Sequence, residues 1–393
     1  MSAALLVLFP LLVTARADDT VRIGYIGRSG DPAAARAGMS VAPQDEGIAG
    51  AGVALSDNNT TGRFVGHRFE LIDGTGLDGE PGGRGNDPAG MLEALHDDGV
   101  RFVVANLAAE DLDTLLAHPA APDMLIFNAG APDDRFRNED CRPFLFHTLP
   151  SRAMLADALA QYLVSKRWSR WFLVTGTQPA DAHFADAVRR AAHRFGGVIV
   201  ADKPWIGTFD ARRTAVQEIP VFTQDVRYDV LIVADENGRF GDLFPYRTWD
   251  PRPVAGTQGL TAVAWHSTVE QWGAAQLQSR FRKQAGRSMT SADYAAWAAV
   301  RSIGEAATRT RATDRDAIAA ELKSSDFALA AFKGRKVSYR AWDGQLRQPI
   351  PVVWAHALVT LSPQEGFLHP ATELDTLGFD APESKCKGFG AER

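Results

Sequence analysis

The segment Val21-Arg22-Ile23-Gly24-Tyr25-Ile26-Gly27 begins the pattern that decides the fold of this 393-residue chain. Its residues alternate in polarity and end at a glycine, which is typical of a first β-strand. A helix is expected at about residues 44–58, and a second strand follows at residues 67–73. Strand and helix continue to alternate along most of the chain, which predicts parallel sheets covered by helices, an α/β fold.

The alternation runs through two successive units. A chain of 393 residues is too long for one ordinary core, so we expect two Rossmann-like lobes. Residues 336–341 and 351–359 are predicted to form a late hairpin around Asp343-Gly344. The other predicted strands lie at residues 100–106, 124–128 and 144–148 in the first unit, and at 170–174, 198–200 and 228–233 in the second.

In open α/β sheets, ligands bind beyond the carboxyl ends of the strands, where loops lead into the next helices. A cleft between two such units would collect these loops from both sheets. The loops selected in this way are Arg28 and Ser29, then residues 106–111, 128–135, 175–181 and 234–240.

The stretch from Trp249 to His266 is a candidate wall for a planar, anionic ligand. Arg252 stands between two prolines close to Trp249, and Trp265 directly precedes His266. Tryptophan offers a flat stacking face, and the arginine fork matches carboxylates. The alternative is an ordinary loop and buried strand, with the tryptophans in the core.

Trp342 and Arg347 form a second pair of an aromatic residue and a cation within a predicted loop. The same chemistry makes this pair a candidate ligand contact. The alternative is a surface cation–π contact without a ligand.

Composition and motifs exclude several classes of function. A net charge of −6 argues against a general nucleic-acid-binding protein, which needs a basic surface. The sequence contains neither the Gly-x-Ser-x-Gly of a nucleophile elbow nor the His-Glu-x-x-His of a zinc protease. We therefore predict a protein that is not an enzyme and has no metal site.

The N-terminus resembles a secretory signal peptide. Residues 3–13 are almost wholly apolar, and Thr14-Ala15-Arg16-Ala17 then offers an Ala-x-Ala cleavage site. The run is too short to span a bilayer as an anchor, although no Lys or Arg precedes it. We expect export to the periplasm, with cleavage after about Ala17.

Cys141 and Cys386 are the two cysteines of the chain. In an oxidising compartment an even pair suggests one disulfide. Such a bond would close a long loop and stabilise the fold by at most about 5 kcal/mol. Two buried free thiols are the alternative.

The opening strand and the two α/β units together resemble the type I periplasmic solute-binding proteins of ABC importers, in their branched-chain amino-acid branch. The resemblance covers about residues 21 to 360. It implies two lobes joined by a three-crossover hinge, with the ligand between them. It also implies a signal peptide at 1–17, lobe 1 at 18–147 plus about 267–335, lobe 2 at 148–266 plus about 336–360, and a tail at 361–393 that packs near the hinge.

A narrower resemblance lies in the second half of the chain. Residues 251–257, 264–266, 293–297 and 345–349 are similar to a subgroup associated with quinoprotein alcohol-oxidation systems. This implies pyrroloquinoline quinone (PQQ), which is planar and carries three carboxylates, as the bound ligand. The implied partners are an ABC permease in the inner membrane and, alternatively, a quinoprotein dehydrogenase, with the chain itself a monomer.

The chain also departs from the amino-acid binders of that family. The loops at residues 106–111 and 128–133 lack the small hydroxyl residues that clasp an amino acid. The acidic residue expected to meet its ammonium group falls near Gln258, which is neutral. Since an unpaired buried charge is costly, a plain amino acid is expected to bind poorly.

These inferences predict a binding protein whose lobes close on a small anionic ligand, with PQQ first. The alternatives are another organic acid, an amino-acid derivative, a metal chelate, a cofactor carrier without an importer, or an exported enzyme. The predicted contacts are Trp249, Trp265 and Trp342 for stacking, Arg28, Arg252 and Arg347 for carboxylates, Asn106 and Asn128 as amide donors, and His266 beside Trp265.

Overall fold

A computed structural model describes residues 19–27, 42–74, 87–207 and 214–389. The predicted signal peptide and Arg28 lie outside these residues. The predicted α/β architecture of two lobes is confirmed: two main sheets of five and seven strands each carry helices.

The sheet of lobe 1 is parallel throughout, with the strand order β2-β1-β3-β4-β5. Its inner strands are continuous apolar runs because both faces of the sheet are covered by helices. The strands are β1 (Asp19–Gly27), β2 (His67–Asp73), β3 (Phe102–Asn106), β4 (Leu125–Asn128) and β5 (Leu145–His147).

Among the described residues, six helices belong to lobe 1. They are α1 (Ile48–Gly62), α2 (Pro88–Asp97), α3 (Ala109–Leu116), α8 (Ala274–Ala285), α9 (Ser291–Thr310) and α10 (Arg315–Lys323). Helices α1 and α9 lie in close contact because Gly50 of α1 has no side chain. A Cβ at Gly50 would lie 1.9 Å from the carbonyl oxygen of Asp293. A short ribbon of β11 (Leu329–Ala330) and β12 (Lys336–Val337) completes the lobe.

Lobe 2 has a seven-stranded sheet with the order β14-β13-β10-β9-β8-β6-β7. Five of its strands are parallel, and the last two in sequence are antiparallel. The strands are β6 (Arg170–Thr175), β7 (Val198–Pro204), β8 (Val230–Ala234), β9 (Val254–Gly256), β10 (Leu260–Ala262), β13 (Ile350–Trp354) and β14 (Ala357–Ser362).

The prediction of the late hairpin is wrong in its pairing. Ile350–Trp354 pairs with Ala357–Ser362, while Lys336–Val337 pairs with Leu329–Ala330 in lobe 1. The turn at Asp343-Gly344 instead closes a shorter hairpin, in which the amide of Arg347 donates to the carbonyl of Ser338 at 2.8 Å and Tyr339 bridges Leu346. This segment carries the chain from one lobe to the other.

The described part of lobe 2 contains four helices: α4 (Arg152–Ser165), α5 (Pro179–Phe195), α6 (Ala215–Thr223) and the single turn α7 (Phe244–Arg247). Helix α4 begins where the Ser151 hydroxyl accepts a hydrogen bond from the amide of Met154. Helix α5 begins with a capping box between Gln178 and Asp181. These caps place the N-termini of both helices near the lobe boundary.

Three segments connect the two sheets, at residues 148–151, 263–273 and 338–349. The first and third lie side by side: the amide of Leu346 donates to the carbonyl of His147 at 2.8 Å. The side chain of Gln348 donates to the carbonyl of Thr148, also at 2.8 Å. These bonds hold the first and third crossovers together as one hinge.

The second crossover joins this hinge through a buried lysine. Lys333 donates to the side-chain oxygen of Gln348 at 2.6 Å, and its ammonium lies 4.2 Å from the ring centre of Tyr294. That ring stacks on Trp265 at 4.8 Å. Burial holds the pKa of Lys333 well below its usual range.

The predicted disulfide between Cys141 and Cys386 is present and ties the tail to the loop after β4. The tail is also held by Asp157, which accepts from the amide of Gly378 at 2.8 Å. Among the residues that the structure describes, no helix is long and apolar enough to cross a bilayer.

Asp343→Asn is expected to flatten the pH dependence of folding stability. Burial raises the pKa of Asp343 from 3.8 to about 6. The folded chain therefore binds this proton more tightly than the unfolded chain. The resulting stabilisation, on the order of 3 kcal/mol, is complete below about pH 4 and is lost as the pH rises through 6. Denaturant unfolding at a series of pH values measures it.

The exposed residue Asp316 provides the control, as Asp316→Asn. Asp157, whose pKa burial also raises to about 6, leaves a residual slope in every variant. If the free energy of unfolding of Asp343→Asn changed with pH as steeply as that of the wild type, Asp343 would not hold a proton between about pH 4 and 6.

Candidate functional site

A cleft of about 890 Å³ lies between the two lobes. The segment that leads into α1 and the N-cap residue of α9 form its lobe 1 side. The loops that follow β8 and β9 form its lobe 2 side, at the carboxyl ends of parallel strands. Its lining residues include Pro43, Glu46, Pro132, Phe184, Asp235, Glu236, Arg239, Asp242, Thr257, Gln258, Thr261 and Thr290.

Asp235 fixes the shape of the loop after β8. Its carboxylate accepts three backbone hydrogen bonds, from Arg239 at 2.9 Å, Phe240 at 2.8 Å and Gly241 at 2.7 Å. Asp235 is 1% exposed. Its carboxylate is therefore saturated by the protein, and it holds the loop rather than reaching a ligand.

The turn after β9 packs against this loop. Gln258 donates to the carbonyl of Asp235 at 3.1 Å, and its side-chain oxygen accepts from the hydroxyl of Thr257. Gly256 has a φ of 112°, and a Cβ there would lie 2.2 Å from the carbonyl oxygen of Val233. Only glycine allows this approach, which brings the two loops together on the cleft wall.

Glu46 is the acidic side chain that lobe 1 brings to the cleft. Its carbonyl accepts hydrogen bonds from the Tyr25 hydroxyl at 2.8 Å and from Asn106 at 3.2 Å. Burial raises the pKa of the Glu46 carboxyl, and the hydroxyl of Thr290 opposes this by hydrogen bonding. No ion pair to Glu46 occurs among the described residues.

Glu236 is the acidic side chain on the facing wall, and it is already paired. Arg152 donates two hydrogen bonds to its carboxylate, both at 2.7 Å. The described lining thus contains four carboxylates and the single cation Arg239. With Asp235 and Glu236 compensated, Glu46 on lobe 1 and Arg239 on lobe 2 are opposed charges available to a solute, and Asp242, exposed like Arg239, is a second carboxylate on lobe 2.

Trp249 and Arg252, predicted as ligand contacts, are not among the residues that line the cleft. Both residues precede β9, so they lie at the amino ends of the parallel strands, and the cleft lies at the carboxyl ends. Trp249 is 62% exposed, and its amide donates to the hydroxyl of Thr223 at the end of α6.

Trp265 and His266 lie in the second crossover, where the sequence left hinge packing open as an alternative. Trp265 is buried, stacks on Tyr294 and donates to the side chain of Gln278 at 3.2 Å. His266 contacts the hydroxyl of Thr268 at 2.8 Å. Neither residue lines the cleft.

Trp342 and Arg347 lie together in the third crossover, where they contact the tail. Arg347 lies 5.2 Å from the ring centre of Trp342, and its Nε donates to Asp375 at 2.8 Å. The indole of Trp342 donates to the carbonyl of Phe379 at 3.4 Å. The pair is thus a cation–π contact, and its cation is neutralised by a residue of the tail.

The two predicted asparagines, Asn106 and Asn128, do not line the cleft but hydrogen-bond to backbone carbonyls. Asn128 is fully buried, donates to the carbonyl of Ala131 at 2.8 Å and contacts His147 at 3.1 Å. Asn106 donates to Tyr25 and to the carbonyl of Glu46. Arg28 follows β1 directly, outside the described residues.

The sequence patterns single out neither Glu46 nor Arg239. The loop at residues 234–240 was selected by its position after a strand, and that signal does locate one wall of the cleft. A lone carboxylate before a helix carries no motif, so nothing singled out Glu46. Among the described residues, no group of His, Cys, Asp and Glu side chains is arranged to hold a metal ion.

Comparisons with known proteins agree with this architecture. Residues 45–213 match the family model described as periplasmic binding protein. A branched-chain amino acid ABC transporter periplasmic ligand-binding protein from Burkholderia xenovorans is 15% identical, with a TM-score of 0.72 over 94% of this chain and 100% of that one.

Two further solved structures are similar at comparable levels. A periplasmic binding protein from Burkholderia mallei is 16% identical, with a TM-score of 0.65 over 95% of this chain and 100% of that one. An ABC transporter solute-binding protein from R. palustris, in complex with benzoate, is 11% identical, with a TM-score of 0.63 over 94% and 99%. No curated protein matches the sequence. The chain therefore has the two-lobed fold of the type I periplasmic binding proteins.

Asp235→Ala is expected to lower the free energy of unfolding by about 2–4 kcal/mol, because three backbone N–H groups, one buried and two partly buried, lose their acceptor. Chemical denaturation measures the change. Asp242→Ala, at the exposed rim of the same loop, serves as the control and is expected to stay within about 0.5 kcal/mol of the wild type. Equal stability of the two variants would contradict the role given to Asp235.

Proposed function

We propose that this chain is the solute-binding component of an ABC-type importer and that it captures a small polar molecule between its two lobes. The supporting observation is the cleft of about 890 Å³, which both lobes line at the carboxyl ends of their strands. Its volume falls in the range of small-molecule sites. The fold and the partial family match support the same class of protein.

Binding in such a cleft couples to movement of the lobes. Glu46 and Thr290 line it from lobe 1, and Arg239 and Gln258 line it from lobe 2. A solute that contacts both sides binds the closed arrangement more tightly than the open one. It therefore shifts the population toward closure, and a permease can recognise the closed form.

PQQ is the finer proposal, and it comes from the sequence resemblance. The cleft volume is large enough for a planar tricyclic molecule, but its three carboxylates need cations. Arg239 is the single cation of the described lining. Arg28 directly follows Gly27, which is the last residue of β1. Gly27 lies beside Asn106 of β3 in the sheet. We therefore propose Arg28 as a second partner for the quinone carboxylates.

A solute with one cationic and one anionic group is the second candidate. It is favoured by Glu46 and Arg239, which offer opposite charges from opposite lobes. An ammonium group near Glu46 would compensate a carboxylate that lacks an ion-pair partner among the described residues. An amino-acid derivative fits this chemistry better than a tricarboxylate.

Glu46→Gln distinguishes the two candidates by the direction of its effect. Removing this negative charge should strengthen binding of the anionic quinone and weaken binding of an amino-bearing solute, each by about tenfold. Isothermal titration calorimetry with PQQ and with a panel of amino acids gives the Kd values. Asp45→Asn is the matched control, because Asp45 pairs with Arg287 and does not line the cleft.

Arg239→Ala should weaken both kinds of ligand, since each carries a carboxylate. Binding of PQQ that is insensitive to Arg239 and Glu46 would place the quinone outside the cleft. Failure of every tested solute to bind the wild-type chain would overturn the ligand proposals.

The proposed setting is the periplasm, with the signal peptide removed after about Ala17 and no catalytic turnover of the ligand. The proposed partner is an inner-membrane permease, and a quinoprotein dehydrogenase is the alternative if the chain carries a cofactor without import. Pull-down with each candidate separates these partners. Light scattering during size-exclusion chromatography checks the proposed monomer.

A further inference from the structure

Arg152 lies directly after the first crossover, as the first residue of α4 in lobe 2. Its side chain is 6% exposed. Nε and Nη2 donate to the two carboxylate oxygens of Glu236, each at 2.7 Å. This two-pronged contact fixes both the position and the orientation of Glu236 on the cleft wall.

The same guanidinium reaches the other lobe. Its Nη1 lies 2.9 Å from Oδ2 of Asp133, close enough for an ion pair, although its N–H groups do not point straight at the oxygen. Asp133 belongs to the loop after β4, in lobe 1, and is 12% exposed. The amide of Arg152 also donates to the carbonyl of Pro132 at 2.9 Å. Arg152 therefore bridges the two lobes beside the hinge.

The contact separates two cavities. Glu236 lines the ligand cleft, whereas Arg152 and Asp133 line a second cavity of about 380 Å³, with His183 and Arg190. Asp133 does not line the cleft. A change at Asp133 therefore acts on the cleft indirectly, through Arg152, through the neighbouring cleft residue Pro132 or through the relative position of the lobes.

Electrostatics favour a charged arginine between two carboxylates. Burial by itself lowers the pKa of Arg152, but the hydrogen bonds and charges of Glu236 and Asp133 outweigh burial and raise it. Removing one partner of a buried ion pair leaves an uncompensated charge and is costly. The bridge is thus more stable while the lobes keep Asp133 and Arg152 together.

We propose that Arg152 is a positioning residue of the ligand site: it holds Glu236 on the cleft wall and ties that wall to lobe 1 through Asp133. Asp133 lies on lobe 1 and the Arg152–Glu236 pair on lobe 2, so any separation of the lobes that lengthens the Asp133–Arg152 contact loses this attraction. The Asp133 charge therefore favours the arrangement in which the lobes are close. Solute affinity then depends on a residue that the solute does not reach.

Asp133→Asn tests this inference, because it removes the charge and keeps the shape of the side chain. Dye labels at Phe64→Cys in lobe 1 and Val198→Cys in lobe 2 report the distance between the lobes, and both positions are exposed. In ligand-free protein, single-molecule energy transfer should show the ratio of close to separated lobes falling about fivefold or more.

Asp133→Glu restores the charge and should recover much of the ratio. Asp186→Asn is the control: Asp186 lines the same second cavity but pairs with Arg189, at 2.6 Å, and should leave the ratio unchanged. Thermal melting of each variant verifies that the fold is intact. Equal distance distributions for Asp133→Asn and Asp186→Asn would overturn the proposal.

The link to affinity rests on the proposed function, and the distance measurement does not. Where PQQ binds the wild-type chain, Asp133→Asn should weaken it about fivefold, in proportion to the loss of close lobes. A shifted distance distribution without any PQQ binding supports the positioning role and contradicts the proposal that PQQ is the ligand. Unchanged PQQ affinity together with a shifted distribution contradicts the coupling.

Discussion

The hydrogen bonds between the first and third crossovers are the constraint on which the two-lobed structure depends. Gln345 is buried there, accepts from Arg137 at 2.9 Å and donates to the carbonyls of His147 and Leu149, each at 3.2 Å. Each of these groups would be unpaired and buried if the crossovers separated, which is costly. The lobes can therefore move about the hinge only while the first and third crossovers stay together.

The candidate site takes its geometry from this hinge and from two buried polar side chains. Asp235 shapes the lobe 2 loop through three backbone amides, and Arg152 holds Glu236 beside that loop. Lobe 1 contributes Glu46, whose backbone is fixed by Tyr25 and Asn106. A rigid scaffold thus presents loop residues to solute, while the buried charges behind them are already satisfied.

The fold was predictable from the sequence because buried parallel strands such as residues 102–106 are continuous apolar runs. The residues that line the cleft were less predictable. Trp249 and Arg252 precede a strand, so topology puts them at the far edge of the sheet. Arg347 is neutralised by Asp375, 28 residues away, and no local pattern shows this pairing. Glu46 gains its significance only from the facing lobe, which the sequence does not bring beside it.

The most direct test of the central claim, that the cleft between the lobes holds a small solute, is native mass spectrometry of the chain purified without denaturation from the cells that produce it. The account predicts one small-molecule adduct per chain, which denaturation releases. Ala42→Trp, which places a large ring at an exposed position on the cleft wall, should abolish it. An adduct that persists in this variant, or a wild-type chain that never carries one, would contradict the account.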